Sequence, residues 1–445
     1  MVIRTLGGVP MVMALFVSCQ APREEILDPT ATLAAYRRSS LHSPEAIASL
    51  RKAGESPGGT WTVRKMVAAV ETTHPSLSRA RAQLHAAQAG IDVAGTHPPV
   101  GISLDLQRAL QGASPWTCGL MLDYTLETGG KRAARIVKAR AEADRAAIAI
   151  TQARGDIHSA VARAFIDHHA AAAQLAALEE SSRDLDAWEQ ASTQLAKLGE
   201  TDRLQSYTLE RERSLLEREM ATTRKQSRVA DAALARALGI PFSEVAHLPL
   251  APLPESLPAV PSRSAIQNTT ALSKPEVLDP LAAYAIAEAA LRIEVSQQYP
   301  DLHLGPGYSY DQGQQKWQLA ASLAIPSDIN AATIRRAEAD RTAAAAVFVE
   351  TQNTALGNSA AALEAYSGCL QQWRQATELV VKSEAIHRAQ TQITRAGAGD
   401  RLPLLQAQYS TCQDRAAEIA ARFDAWRAWV DLLDATRGPI AGNLL

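Results

Sequence analysis

The sequence predicts a mainly α-helical protein with a small β part, in which one structural unit occurs twice. The motif Gly-Glu-Thr-Asp-Arg-Leu at 199–204 recurs at 397–402 as Gly-Ala-Gly-Asp-Arg-Leu. Each copy interrupts a long helical segment, and each follows a pair of short segments with alternating polarity. Repetition on this scale indicates an internal duplication, so we interpret the chain as two equivalent halves.

The first residues have the composition of a lipoprotein signal peptide. Arg4 is followed by an apolar stretch at 9–17, which has the length of a signal-peptide core. Cys19 follows in a context that resembles a bacterial lipobox, so we predict a signal peptide over 1–18 and lipidation of Cys19. Gln20, in place of Asp, favours sorting to the outer membrane. An ordinary signal peptide that happens to contain a cysteine is the alternative.

Composition and charge limit the functions that the chain could have. Aromatic residues make up 5% of the chain, and the formal net charge is −2. Charges of both signs are interspersed, so no basic surface for nucleic acid is expected. No run of 18 apolar residues follows the signal peptide, so no transmembrane helix is expected, and only strands could cross a membrane.

Two regions precede the first strand. Prolines and glycines are scattered through 19–60, which predicts a lipid-anchored linker or a wrapped tail. Helical periodicity then predicts a helix over 63–95, which Pro98 and Pro99 end.

Alternation with a period of two predicts two β-hairpins, at 99–126 and 300–326. Each strand has one apolar and one polar face, and about the 9–11 residues of a tilted membrane strand. The apolar faces carry Val100, Ile102, Leu104 and Leu106, then Leu120, Leu122, Tyr124 and Leu126, and in the second hairpin Leu302, Leu304, Tyr308, Tyr310, Trp317, Leu319 and Leu323.

Four strands are too few to close a barrel, since about eight are needed before the interior can hold side chains. Several chains would therefore have to combine, and three chains would give a 12-stranded barrel. A soluble sandwich hairpin packed on a core is the alternative. Against it, four strands separated by long helices cannot build a sandwich alone.

Long helices follow both hairpins. From Ile136 to Leu185, positions at strict sevens carry no charge, which predicts a coiled-coil helix. The segment at 241–274 is rich in proline, which predicts an irregular equatorial segment outside the helical tube. The predicted bounds are 131–198 and 203–238 for the helices of the first repeat (61–240), 331–396 and 402–436 for those of the second repeat (275–436), and 437–445 for a tail.

The repeated motif supplies the candidate site. Gly199 and Gly397 can end the long helices, and Asp202 and Asp400 can cap the returning ones. The two turns would form the free end of a tube, where symmetric copies could gate a pore or dock a partner. The candidate residues are Gly199, Asp202, Arg203, Leu204, Gly397, Asp400, Arg401 and Leu402.

Nothing in the sequence argues for catalysis or for a bound metal. His168 and His169 are adjacent, so on a helix they point about 100° apart and cannot chelate one ion, and a solvated helix face is predicted. No nucleophile-elbow, zinc, phosphate-loop or dinucleotide motif occurs. We therefore predict that the protein is not an enzyme and has no cofactor.

The pattern resembles the TolC family of outer-membrane efflux proteins over about 61–436. The resemblance rests on His74-Pro75, on Thr128-Gly129-Gly130-Lys131-Arg132 and on Tyr299-Pro300-Asp301-Leu302. The stretch from Gly305 to Trp317 is most similar to the heavy-metal-exporting branch. The resemblance implies a homotrimer with a 12-stranded barrel in the outer membrane and an α-helical tunnel through the periplasm.

The resemblance also implies partners and a function. A periplasmic adaptor and an inner-membrane pump of the resistance-nodulation-division class would act at the tunnel tip, formed by the candidate residues of the two turns. The chain would be a passive exit duct for heavy-metal cations or drugs, lipid-anchored in the outer membrane of a Gram-negative bacterium. The channel of a type I protein secretion system is one alternative, and a periplasmic coiled-coil lipoprotein scaffold without a pore is another.

Overall fold

Long helices and one small sheet make up the described part of the chain. The computed structural model describes residues 26–108, 110, 116–198, 203–311, 313–325 and 329–436. The predicted signal peptide, Cys19 and the tail at 437–445 lie outside these residues. Two units are distinguished, the first ending at Ser39 and the second beginning at Ser40. The prediction of a mainly helical chain with a small β part is confirmed.

The predicted linker contains two helices. In the first unit, α1 spans Pro29–Arg38, and all of its residues are exposed. In the second unit, α2 spans Pro44–Lys52. Each helix starts with proline after a capping side chain, Asp28 or Ser43, which accepts a backbone N–H. Proline suits this position because its missing N–H would have no helical partner there. Within the predicted linker, the chain is therefore helical at α1 and α2.

The predicted helix over 63–95 is two helices. α3 spans Val63–Val70 and α4 spans Pro75–Ala94. Pro75 lacks the N–H that a continuous helix requires, so it starts a new one. The His74 ring caps α4, because its Nδ1 accepts the N–H of Ser76 at 3.2 Å.

The four strands form one antiparallel sheet in the order β1-β2-β3-β4. They are β1 Gly101–Arg108, β2 Trp116–Leu126, β3 Leu302–Asp311 and β4 Gln314–Leu323, which lie within the two predicted hairpins. The hairpins are joined through β2 and β3, where Leu120 pairs with Tyr308. Residues from the two halves of the sequence therefore share one sheet.

Alternation along the strands separates an apolar from a polar face, as predicted. One row across the four strands is Leu104, Leu120, Tyr308 and Trp317. The apolar face stays exposed in the single chain, since Leu104 is 71% and Trp317 84% accessible. The neighbouring row on the polar face is Asp105, Gly119, Ser309 and Lys316.

The long helices α5, Lys131–Lys197, and α10, Ile329–Arg395, contain 67 residues each. A helix of that length extends about 100 Å. The returning helices α6, Arg203–Leu238, and α11, Arg401–Thr436, contain 36 residues each. All four differ from their predicted bounds by two residues or fewer. The predicted seam of α5 is packed, because Ile157, Leu178 and Leu185 are buried.

The proline-rich segment is also more regular than predicted. It contains α7, Phe242–Val245, and α8, Arg263–Ser273, and α9 follows at Pro275–Ser296. The Ser262 side chain caps α8 by accepting the N–H of Ala265. Between α7 and α8, the chain is held by a bridge from Trp61 to Leu250 and by the Tyr366 hydroxyl, which donates to the Pro258 carbonyl at 2.5 Å. The prediction of an irregular segment over 241–274 is wrong for α7 and α8, and the Ser262 cap shows how a polar residue in this segment starts a helix.

The main hydrophobic core lies where the middle of α5 meets α3, the end of α6, α8, the middle of α10 and the end of α11. Trp61, Tyr366 and Trp426 are its largest fully buried side chains. A smaller cluster, Leu178, Leu185, Leu209, Leu216 and Tyr409, continues the packing toward the helix turns. Among the described residues, no helix has the length and apolar character needed to cross a bilayer.

Candidate functional site: the helix turns and the sheet junction

The second helix turn ends α10 with a left-handed glycine, as the sequence predicts. Gly397 has φ +71°, its N–H donates to the Thr394 carbonyl, and the Ala398 N–H donates to the Ile393 carbonyl at 3.2 Å. These two bonds form a Schellman motif, which satisfies carbonyls that the helix end leaves free. Gly399 is required by close packing, because a Cβ there would lie 2.7 Å from Cγ2 of Ile393.

The returning helix starts immediately after this turn. Asp400 directly precedes Arg401, the first residue of α11, and both side chains are exposed. Leu402 is half-buried. Pro403 removes one of the two N–H groups that a capping carboxylate commonly binds, so an Asp400 cap could use only the N–H of Leu402.

Only part of the first helix turn can be compared with the second. Gly199 and Asp202 lie outside the described residues. Arg203 is the first residue of α6, and Leu204 is 69% exposed. The gating and docking roles of the eight turn residues stay predictions.

A layer of polar contacts, not predicted from the sequence, joins α5 to α11 about 20 Å from the end of α5. One Asp184 carboxylate oxygen accepts from Gln408 at 2.7 Å, and the other accepts from the Cys412 thiol at 2.8 Å. Burial and this bond to Asp184 raise the pKa of Cys412 to about 12, so the thiol stays protonated and donates. The rings of Trp188 and Tyr409 pack at a tilt next to this layer, with centroids 5.8 Å apart.

Near this polar layer, ion pairs also join each long helix to its own returning helix. Arg213 of α6 pairs with Asp186 and Glu189 of α5. Arg415 of α11 pairs with Glu384 of α10 at 2.9 Å. Each long helix is thus tied to its own returning helix, and Asp184 ties the two pairs to each other.

At the opposite end of α5, the structure brings together two of the motifs that carried the family resemblance. The Thr128 N–H donates to the Asp301 carboxylate at 3.0 Å, and the Thr128 hydroxyl donates to the Pro300 carbonyl at 2.6 Å. Lys131 pairs with the same Asp301 at 2.8 Å. Gly129 has φ +65°, and a Cβ there would lie 2.8 Å from the Ser296 carbonyl oxygen. These contacts fix where β2 ends and α5 begins beside the start of β3.

The histidine pair lies between helices and not on a solvated face, so that prediction is wrong. His168 Nδ1 is 2.6 Å from the Asp231 carboxylate of α6. The His169 ring packs edge-on against Phe165, with centroids 4.6 Å apart. Burial lowers the pKa of His169. Within the described ranges, no group of three His, Cys, Asp or Glu side chains could hold a metal ion.

Solved outer-membrane channels share this fold. VceC from Vibrio cholerae superposes with a TM-score of 0.69 at 18% identity, covering 84% of this chain and 96% of that one. OprN gives a TM-score of 0.69 at 18% identity and covers 84% and 90% of the two chains. CusC gives a TM-score of 0.68 at 17% identity and covers 84% and 91%. No curated protein sequence matches the chain.

The fold of the chain is therefore the one that these solved outer-membrane channels have. At the level of sequence, residues 68–240 match the family model "Outer membrane efflux protein". Together the two comparisons support the resemblance to TolC-like efflux channels. Because such channels are passive, the family match confirms the prediction that the protein is not an enzyme.

Proposed function

We propose that the chain is the outer-membrane exit duct of a tripartite efflux pump, through which substrates pass passively from an inner-membrane pump to the exterior. The observation that carries the proposal is the sheet. It joins two helix pairs of equal length, exposes an apolar face and presents a polar face on the other side. This distribution of side chains suits a sheet with lipid on one side and water on the other.

The sheet requires further copies of the chain to complete it. Within the part of the chain that the structure describes, β1 and β4 each have one edge without a partner strand, and exposed strand edges readily pair with another chain. Two copies would give about eight strands, whose interior is filled by side chains. Three copies would give about twelve, which leaves a lumen, so we propose a homotrimer and a helical tunnel that continues the barrel. The matched helix lengths support an internal duplication.

The turns after α5 and α10 would form the periplasmic tip of this tunnel. We propose that an adaptor docks there and that the tip opens when the two helix pairs separate. Asp184, which ties α5 to α11, would help to hold the closed state. We also propose a heavy-metal pump of the resistance-nodulation-division class as partner, and lipidation at Cys19.

Reconstitution tests the proposed duct. We expect the purified protein to form ion-conducting pores in planar bilayers and to appear as a three-fold cylinder, more than about 100 Å long, in negative-stain electron microscopy. Monomers or rods without a lumen, together with silent bilayers, would instead favour the periplasmic scaffold. That alternative leaves the exposed apolar face of the sheet unexplained.

The tip is tested separately by Asp400→Ala. Loss of a carboxylate at the constriction should change single-channel conductance, because charged rings at narrow points control ion entry. Glu350→Gln, which removes a carboxylate from the exposed side of α10 far from the turn, is the matched control. Equal conductance in the parent protein and Asp400→Ala would argue against a gating role for this residue.

A further inference from the structure

The polar face of the sheet carries an excess of negative charge. Its charged side chains in the described strands are three carboxylates, Asp105, Asp123 and Asp311, and one ammonium group, Lys316. Neutral polar and small residues occupy the other positions, apart from His303 and Met121. Each copy therefore contributes two more negative than positive charges to this face, and a trimer would triple that excess.

Among the described residues, a lysine or arginine pairs with just one of the three carboxylates. Asp311 pairs with Lys316 at 2.9 Å and accepts from the Thr117 hydroxyl at 3.0 Å. Asp105 accepts only an amide N–H of Gln107, at 3.0 Å, among the bonds of the described strands. Asp123 lies 3.8 Å from Nδ1 of His303, which is charged only if protonated and which is closer to the Thr125 hydroxyl, at 3.1 Å.

The surroundings of Asp123 leave space for a hydrated ion. A recess of about 370 Å³ lies beside this carboxylate, and its lining includes the small residues Gly101, Gly305 and Ala320 as well as Met121 and His303. The Asp123 side chain is 65% exposed, so this carboxylate is open to solvent beside the recess. Asp105 lies four residues from Gly101 along β1, which is roughly 13 Å of strand, so the two carboxylates would act at two levels.

We propose that Asp105 and Asp123 make the sheet end of the duct prefer cations, so that the substrates it passes carry positive charge. The inference rests on the proposed function, because the polar face lines a lumen only if copies of the sheet close around it. Rings of acidic side chains attract cations in channels, and substitutions facing the lumen of a barrel alter its selectivity. The preference would belong to the sheet and would be independent of the helix turns.

Reversal potentials in a KCl gradient across a planar bilayer measure this preference. At about 0.1 M salt, where the screening length is about 10 Å, we expect the double variant Asp105→Asn with Asp123→Asn to lower the K⁺/Cl⁻ permeability ratio by at least about twofold. At about 1 M, where the screening length is about 3 Å, the difference should nearly vanish. Lys316→Gln should shift the ratio in the opposite direction, and it provides a second reading if the double variant does not insert.

A charge-conserving exchange is the matched control. Asp311→Lys combined with Lys316→Asp keeps the net charge of the face, so the permeability ratio should stay at the parent value. Pores that conduct but keep the parent ratio in both the double variant and Lys316→Gln would overturn the inference. So would a preference that Asp400→Asn at the helix turn abolishes while the double variant leaves it intact. A parent protein that forms no pore at all would instead contradict the proposed duct.

Discussion

The two long helices have the same length but different surroundings. α5 is packed by α3, α4, α6, α9 and α11, whereas α10 is packed by α8, α9 and α11. Along α5, Leu178 and Leu185, seven residues apart, are 3% and 1% exposed. Along α10, Leu379, Ile386 and Ile393 also lie seven residues apart, but they are 48%, 59% and 42% exposed.

The difference shows that the chain covers the apolar seam of α5 with its own helices but leaves the apolar stripe of α10 exposed. A heptad of apolar residues is the seam of a coiled coil and requires a facing helix. The chain supplies that helix to α5, while the stripe of Leu379, Ile386 and Ile393 remains uncovered. We therefore expect a second copy of the chain to cover this stripe, in agreement with the unpaired edges of β1 and β4.

The largest effect is expected for the buried seam. Leu185→Ala removes a side chain that is 1% exposed and leaves a cavity where α5 meets α6 and α11. We expect a loss of about 2–5 kcal/mol of stability. The midpoint of thermal unfolding in detergent, followed by circular dichroism at a fixed protein concentration, measures it. An unchanged midpoint would mean that this level of the seam is not packed as described.

The same kind of substitution on the open stripe should affect assembly instead. Ile386→Ala should leave the helix content of the chain unchanged but weaken association by up to about 1.5–3 kcal/mol per copy, the value of burying one aliphatic side chain. Mass photometry in detergent would show a shift toward smaller species on dilution. Val381→Ala is the matched control, because Val381 is 57% exposed on the same helix but lies on another side of it. Equal association of both variants would show that the stripe is not an interface.

The sequence predicts the long helices and the strands better than it predicts the short helices next to them. Strict sevens and alternating strands are repeated signals, so α5, α10 and the four strands could be located closely. A single proline carries less information, because Pro75 starts α4 whereas Pro280 lies inside α9. At Pro75 a new helix starts because His74 caps it, and hydrophobic periodicity does not reveal such a local hydrogen bond.

The candidate site was predictable to the same limited degree. A glycine repeated at the end of each long helix predicts a turn, and Gly397 has the expected left-handed conformation. The layer at Asp184 was not predictable, because Gln408 and Cys412 lie 224 and 228 residues away in the sequence. Its position depends on how α5 and α11 pack, which no local pattern specifies.

Gly397 in the turn after α10 and Gly357 inside α10 allow substitutions with opposite expected effects on stability. Gly397→Ala places a Cβ in the left-handed conformation and should destabilise the chain by about 1–2 kcal/mol. Gly357→Ala, in the middle of the same helix with open space around the new methyl group, should stabilise it by about 0.5–1 kcal/mol. Thermal midpoints under identical conditions measure both. A Gly397→Ala variant as stable as the parent would show that the turn adopts another conformation in solution.

The smallest effect is expected at the joint between the short helices, where the two halves differ chemically. In the first half, the His74 ring caps α4 and lies against Gly239, which follows α6. In the second half, Lys274 occupies the corresponding position before Pro275 and pairs with Glu276 at 2.8 Å. Burial lowers the pKa of His74, although a bond to the backbone of Ala237 opposes the shift.

The first joint should therefore lose stability in mild acid. As pH falls below about 6.5, His74 binds a proton in the unfolded chain but not yet in the folded chain. The free energy of unfolding therefore decreases with falling pH. The decrease ends once the pH is below the lowered pKa of His74 in the folded chain. His74→Asn keeps a capping oxygen without a titrating group, so the parent should lose about 1 kcal/mol more than this variant between about pH 7.5 and 5. His85→Asn, an exposed change on α4, should follow the parent, and the half-buried His158 and His169 are common to all three proteins. If lowering the pH reduced the thermal midpoints of the parent and of His74→Asn by the same amount, the cap would not depend on the neutral ring.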